Sequence, residues 1–446
     1  MKASFAAKAA PAAAAVALVA ALAGCTGTSA APASSASASS ISAPASMQSA
    51  STDSTGDAKG LTSMTSATAA QTSANANSIL NADELFTDRD LQQTADTSSA
   101  KTLTLTSGQD VTITEEGVYL VSGTASNASI IVDANSQAKV QIVLDGVTIT
   151  NDNTPAIYVK SADKVFVTTV GTSTLSVTGE FAADGDTNTD AVIFSKDDLV
   201  LNGTGTLVIS STDNAVTSKD DLKITGGTYE ITCAGHAFEA NDSVVVADGT
   251  FKIVAGDDGL HADNEEDGTL GYVYVGGGTF QIKSESDGIH ATSVTQIDGG
   301  TFTIVAPEAI EGTYVQINGG TIDITASDDG INASARSTAY STTVEINGGD
   351  IKIVMGAGDT DAIDSNGNLF ITGGTIDITA ASPFDFDGTG SLTGGTLTVN
   401  GQQVTQLSNQ MMGGMGGMGG PSSASAGSMG GPGMQGQGSM GSRGAR

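Results

Sequence analysis

One phrase recurs through the second half of the chain: an acid or amide, then Gly or Ala, then Ile or Leu, then a polar residue. It stands as Asp258-Gly259-Leu260-His261, Asp287-Gly288-Ile289-His290, Glu308-Ala309-Ile310-Glu311, Asp329-Gly330-Ile331-Asn332 and Asp361-Ala362-Ile363-Asp364. Carboxylates and imidazoles are the side chains of proton transfer and of metal ligation. A phrase repeated at a roughly fixed period becomes a column in space when the chain coils. Two columns follow, three residues apart. One holds Asn214, His236, Asp258, Asp287, Glu308, Asp329 and Asp361; the other holds Thr217, Glu239, His261, His290, Glu311, Asn332, Asp364 and Asp385. All 3 histidines of the chain fall in them. With the apolar residue of the phrase pointing inward, both columns are expected to face outward. Two bare carboxylates roughly 5 Å apart repel by about 3 kcal/mol at an effective dielectric near 20, so a stack of them needs a cation. Hard oxygen donors at this density select calcium over softer metals. The candidate ligands are Asp257, Asp258, Asp287, Glu308, Glu311, Asp328, Asp329, Asp361 and Asp364. A zinc pair from His261 and His290 is disfavoured by its mainly carboxylate neighbours. The plainer alternative is a solvated acidic edge in which Asp and Asn satisfy their own turns. A third column, Asp163, Asp197, Asp220 and Asp242, has Lys196 and Lys219 beside it and reads as turn chemistry with locally offset charge.

The elements that position these columns are short strands. Gly pairs are followed by Thr-apolar-x-apolar, as in Thr250-Phe251-Lys252-Ile253, Thr279-Phe280-Gln281-Ile282 and Thr301-Phe302-Thr303-Ile304. Gly205, Gly227, Gly249, Gly278, Gly300, Gly320, Gly349, Gly374 and Gly395 mark the repeats, 20 to 29 residues apart. Period-two alternation is strand signal and Gly is turn signal. A second alternating strip, such as Val273 with Val275 or Val315 with Ile317, precedes each pair. The acidic phrase lies between the two strips, and its Gly/Ala-Ile part is expected to form a turn and an inward stack. This predicts an all-β chain, a parallel β-helix with three short strands per coil. Phe251, Phe280, Phe302, Ile322, Ile351, Ile376 and Leu397 should form one inward stack, and Ile253 to Val399 its neighbour. The two longest gaps place insertions near Asn264–Tyr272 and Ala333–Thr343. The earlier strands, at Val118–Val121, Ile130–Val132, Val140–Leu144 and Val165–Val167, are less regular, as a capped end requires.

The ends have other compositions. Lys2, Lys8 and the apolar run Ala9–Ala23 read as a secretion signal. Leu22-Ala23-Gly24-Cys25 has the form of a bacterial lipobox, which would make Cys25 the lipidated first residue of a protein held on the outer face of the cell membrane. Residues 26–78, rich in Ala, Ser and Thr, read as a flexible tether. Residues 79–407 form the body, and 408–446 a Met/Gly-rich disordered tail. Thioether binding of copper(I) by that tail is the weaker reading. The second Cys, Cys233, is left without an intrachain partner and is expected to be a buried small hydrophobe. The net charge is −32, from 17 basic and 49 acidic residues. That excludes nucleic acid and anionic lipid as partners, leaving contact with the membrane to the lipid anchor alone. An acidic glycan would be repelled as well unless a divalent cation bridged the two.

The run Val140-Gln141-Ile142-Val143-Leu144-Asp145-Gly146-Val147, the stretch Pro155–Lys164, the Ser-Lys-Asp-Asp-Leu copies at 195–199 and 218–222, and the Asp-Gly-Ile series with its Gly-Gly-Thr-Ile partners together resemble the bacterial carbohydrate-binding domain-containing proteins. The resemblance covers most of residues 80–400. It implies a secreted, right-handed, single-stranded parallel β-helix with the shape of a pectate lyase. It also implies calcium binding and attachment to acidic polysaccharide such as polygalacturonate, without established catalysis.

Three functions remain open at this point. The first is calcium-dependent, non-catalytic binding of acidic polysaccharide. The second is a pectate-lyase-like enzyme, which needs a strong base near the metal; Arg336, beside Asp329, is the one Arg of the body beyond Arg89. The third is a calcium-stiffened surface stalk or adhesin. An acidic phrase recurring in coil after coil favours a repeated binding edge over a single catalytic centre. Trp is absent, so any aromatic sugar platform would fall to Tyr158, Tyr272, Tyr274, Tyr314 or Tyr340.

Overall fold

In Thr250–Ala255, Phe251, Ile253 and Ala255 are buried while Thr250, Lys252 and Val254 are exposed. This is the alternation of a strand with one wet face. The chain then turns into Leu260–Ala262, turns again, and after an insertion enters Tyr272–Val275, from which Gly276-Gly277-Gly278 starts the next coil. The computed structural model describes residues 78–358 and 360–409, all within one compact unit. Repeating this coil builds three parallel sheets. The first runs from Lys101–Thr104 to Gly390–Leu392 in 13 strands, and the third from Val111–Ile113 to Ser382–Phe386 in 12. The second begins at Thr124–Ser126 and also has 13 strands, the last of which, Gln402–Val404, folds back antiparallel on Thr396–Val399. This is the parallel β-helix that the repeat predicts. Among the described residues the only helix is Ala82–Leu85, and none is long and apolar enough to cross a membrane.

Register carries the architecture. Phe251, Phe280, Phe302, Ile322, Ile351, Ile376 and Leu397 pair strand to strand in that order, and each is at most 1% exposed. Within the stack the rings of Tyr229, Phe251, Phe280 and Phe302 lie face to face, with centroids 5.3, 4.4 and 4.6 Å apart. Coil spacing is close to aromatic stacking distance, so the repeat turns one large apolar residue per coil into a continuous column. The neighbouring column from Ile253 to Ile378 is buried too, and opens only at half-buried Val399 in the last coil. Cys233 is free and buried, as expected. Gly278 has a φ of +108°, in the region that disfavours a side chain, which accounts for the glycine at the corner into the second sheet.

Two features depart from the sequence reading. The Gly/Ala-Ile phrase is not a turn but the third strand itself, as in Asp287–Ala291, Glu308–Gly312 and Asp361–Ser365. Gly288 serves close stacking: a Cβ there would lie 2.5 Å from Ile304 Cγ2 and 2.6 Å from the Ala309 carbonyl of the next coil. The body also starts with a strap. Coils begin at Lys101, whereas Ile79–Gln93 lies across the outer face of the first sheet. The Leu80 N–H donates to Gln296 Oε1 at 2.7 Å, Lys223 Nζ donates to the Leu85 carbonyl at 2.7 Å, and the Arg89 guanidinium sits 4.3 Å from the Phe166 ring centre. Asp90 of the strap is fully buried, 3.5 Å from Lys164 Nζ and 3.9 Å from Lys223 Nζ. Nothing in the local sequence periodicity marks this segment. The expected leader with Cys25, the tether before Ser78 and the tail beyond Asn409 lie outside the described residues.

The ring stack generates a test. Phe280→Ala should lower the unfolding free energy by about 3–5 kcal/mol in urea titration. Val254→Ala, at a position 42% exposed on the outer face of the same sheet, should change it by no more than about 0.5 kcal/mol. Equal costs would contradict the inward stack.

Candidate functional site

Both polar columns form. The second pairs in register as Thr217, Glu239, His261, His290, Glu311, Asn332, Asp364 and Asp385. Members of the first stand at the entrance to each third-sheet strand, where Asp287 pairs with Glu308. Alternation turns His290 away from the core to which Ile289 points, and the corner brings Asp287 back beside it. Several first-column side chains serve the backbone of the next coil. Asn214 Oδ1 accepts the His236 N–H at 2.8 Å, Asp258 Oδ1 the Asp287 N–H at 2.7 Å, and Asp329 Oδ1 the Asp361 N–H at 3.3 Å. That much is the plainer reading of these residues.

The columns are not the open acidic face expected. Asp258 is 3% exposed, Glu311 2%, and Asp287, His290 and Asn332 are buried as well. Over part of them the Ala333–Thr343 insertion folds back: Ser334 Oγ donates to Glu311 Oε1 at 2.7 Å. Arg336 Nε and Nη2 reach Glu311 Oε1 and Oε2 at 3.0 and 3.1 Å. The insertion is pinned to the other one, since Ser337 Oγ donates to the Gly268 carbonyl at 2.6 Å. Between them opens a cleft of about 680 Å³, whose lining includes His261, His290, Glu265, Glu266 and Arg336.

The protein supplies its own basic side chains to one end of the columns. His261 Nδ1 lies 2.6 Å from Asp258 Oδ2. His290 Nδ1 lies between Asp287 Oδ2 at 2.8 Å and Glu311 Oε2 at 2.9 Å. The rings of His236, His261 and His290 stack, with centroids 4.1 and 4.9 Å apart. Burial alone would discharge His290, but the two carboxylates outweigh it and lift the imidazole to about 10. Burial raises Glu311, and His290, Ser334 and Arg336 together bring it down to about 2. Asp287 also touches His290, yet burial and the neighbouring charges of Asp258 and Glu308 push it up to about 7. The imidazolium is therefore matched mainly to Glu311. Burial likewise works against Asp258, but hydrogen bonds from His236 and His261 hold it well below the ordinary carboxylate range.

The other end has less compensation: Glu308 is eased only by the more distant charge of Arg336 and the Asn332 amide. Among the described residues no Lys, Arg or His lies within ion-pair distance of Glu308, Asp329 or Asp364. All three are half-buried. Burial, then Asp364, pushes Asp329 up to about 7. Burial, then Asp385 and Asp361, pushes Asp364 up to about 6. Burial raises Glu308 also. Asn332 Nδ2 donates to Glu308 Oε2 at 2.9 Å, while its Oδ1 is buried without a hydrogen-bond partner.

Of the nine expected ligands, the structure brings Asp258, Asp287, Glu308 and Glu311 closest together. Donor atoms of Asp287, Glu308 and Glu311 all lie within 4.8 Å of one another, as do those of Asp258, Asp287 and His290, and those of His236, Asp258 and His261. Asp257 is half-exposed, with Oδ2 3.6 Å from His236 Nε2. Asp328 is exposed, and Asp361 bonds Ser382. The candidate tyrosine platforms are largely engaged. Tyr158 and Tyr274 are buried, with hydroxyls on Asp184 and Asp298, and the Tyr314 hydroxyl donates to Glu345. In the third column Lys219 does not offset its neighbours: its Nζ lies 3.5 Å from Glu239. Burial, the Asp198 charge and a hydrogen bond with Asp242 push Asp220 up to about 7. Sequence reasoning missed the closure by Ser334 and Arg336, because an insertion carries no period from which its path can be read.

These shifts fix a pH dependence. An acid whose folded value is raised contributes stability below its ordinary value near 4, and loses it as pH rises through the folded value. Asp287, Asp329, Asp220 and Asp364 lose it from about 4, where the unfolded chain ionises, to about 6 to 7, where the folded chain does. His290 adds loss toward about 10. Asp258 and Glu311 act oppositely, but only below the ordinary range. The melting temperature in chelator should therefore fall from pH 5 to pH 8 by calorimetry. A rise would contradict the assignment.

A family profile described as "Carbohydrate-binding domain-containing protein" matches residues 107–357 and again 308–410. A curated relative of the same description from Acetivibrio thermocellus is 36% identical over 130 residues, 28% of this chain and 46% of that protein. The chain thus spans about half the length of the curated relative it matches. A solved structure described as the polysaccharide lyase-like protein from C. thermocellum, in a gadolinium derivative, is 24% identical. It covers 66% of this chain and 86% of its own, with a TM-score of 0.28. The profile spans most of the coiled body, and the chain belongs to the carbohydrate-binding domain-containing protein family.

Proposed function

We propose that the protein binds acidic polysaccharide through calcium held along the outer edge of the third sheet, and does not cleave it. One observation carries the reading: Glu308, Asp329 and Asp364, on successive coils, have no protein cation at ion-pair distance, and the unpaired Asn332 Oδ1 is buried among the same coils. Half-buried like charges disfavour ionisation, and a hard divalent cation relieves them. Asp361 and Asp328 would complete that edge. Asp258, Asp287 and Glu311, engaged by histidine and arginine, would stand behind it rather than in it. Family membership supports a carbohydrate ligand, and a net charge of −32 means that an anionic one needs the bridging ion. Arg336, the residue a lyase would need as a strong base, is held bidentate by Glu311, which favours binding over elimination. Attachment to the cell surface through Cys25 belongs to the same reading.

Titrating calcium into chelated protein should raise the melting temperature. At one hundred times Kd the gain is about 2.7 kcal/mol. Asp329→Asn with Asp364→Asn should remove most of that gain. Polygalacturonate beads should retain the protein with calcium and release it in chelator. No melting shift at millimolar calcium sinks the proposal. A shift without retention favours a calcium-stiffened stalk, and unsaturated product favours a lyase.

A further inference from the structure

The cleft between the two insertions has chemistry that the calcium edge does not use. Its walls differ in charge. Glu265 and Glu266 stand exposed on one side, and the other carries Arg336 with His290 beside it. The Arg336 backbone is fixed: its N–H lies 2.9 Å from the Ser334 carbonyl and 3.0 Å from Thr313 Oγ1. Its guanidinium is fixed too, because Glu311 takes one donor from Nε and one from Nη2. A guanidinium has five N–H donors, so the edge formed by Nη1 and the second Nη2 hydrogen remains, on a side chain 49% exposed. His290 Nδ1 lies 2.8 Å from Asp287 Oδ2 and 2.9 Å from Glu311 Oε2, so both nearby carboxylates are engaged away from the free guanidinium edge. Among the described residues Arg336 is the only Lys or Arg lining the cleft, whose carboxylates are Asp263, Glu265 and Glu266.

We infer that this cleft is a subsite for one uronate residue, with the sugar carboxylate on the free edge of Arg336 and its hydroxyls donating to Glu265 and Glu266. A planar fork matches a carboxylate in two parallel hydrogen bonds, and carboxylates accept from sugar hydroxyls. A guanidinium already held by Glu311 loses little further freedom on binding. The inference rests on the polysaccharide reading above, and makes Arg336 the residue that distinguishes an acidic sugar from a neutral one.

The test compares binding of polygalacturonate oligomers with that of their methyl esters, at millimolar calcium and again in chelator, by calorimetry. The intact chain should prefer the free acid. Arg336→Gln should weaken the acid at least tenfold, leave the ester unchanged, and keep the calcium melting shift, which shows an intact fold and calcium edge. Arg336→Lys should recover only part of the preference, since an ammonium cannot hold Glu311 and a ligand as a fork. If Arg336→Gln keeps the calcium shift and still binds the acid like the intact chain, the subsite is wrong. If the intact chain binds ester and acid equally, or neither, it is wrong as well. Acid binding that needs Arg336 but not calcium supports the subsite while overturning the calcium reading. Should Arg336→Gln fail to fold, Glu265→Gln with Glu266→Gln on the opposite wall should weaken acid and ester alike, and no loss for either would overturn the hydroxyl contacts.

Discussion

A parallel coil stacks like on like. Each residue of the repeat lies about 4.8 Å from its counterpart in the next coil, so whatever the repeat writes once becomes a ladder. For apolar residues this is a gain, since Phe251, Phe280 and Phe302 become a continuous stack of rings with no water between. For Asp258, Asp287, Glu308, Asp329 and Asp361 it is a liability, because the same register places acid over acid. Every other feature of the polar edge answers that constraint.

The chain answers it in three ways. Backbone N–H groups of the following coil take some of the lone pairs, as at Asp258 and Asp329. Histidine replaces acid at His261 and His290, and Arg336 arrives from an insertion to complete the neutralisation of Glu311. Where no basic side chain reaches, at Asp329 and Asp364, the carboxyls are pushed toward neutrality by burial and by one another. The edge is thus divided into a part that carries its own basic side chains and a part that lacks them. That division supports placing an external cation at the second part and an anionic ligand group at the first.

What was legible in the sequence follows the same physics. The Gly-Gly-Thr-apolar marker fixes the period, and the period alone aligns His261 with His290 and Glu311 with Asn332, as the register bears out. The inward stacks follow from alternation. The acidic phrase was legible as a column but not as a strand, because Gly288 looks like a turn residue until the close approach of Ala309 in the next coil is known. Burial of Glu311 was not legible, since Ser334 and Arg336 of the Ala333–Thr343 insertion fold onto it. The strap around Asp90 was hidden for a related reason: its partners Lys164 and Lys223 are 74 and 133 residues away in the sequence.

The central claim is that the uncompensated acids form a hard-cation site. Anomalous diffraction from crystals soaked in terbium, which has calcium's preference for oxygen and a strong signal, tests it most directly. The account predicts a peak among Glu308, Asp329 and Asp364, close to Asn332, and none at the His290–Glu311–Arg336 group. An empty edge, or a peak confined to the histidine group, would contradict it.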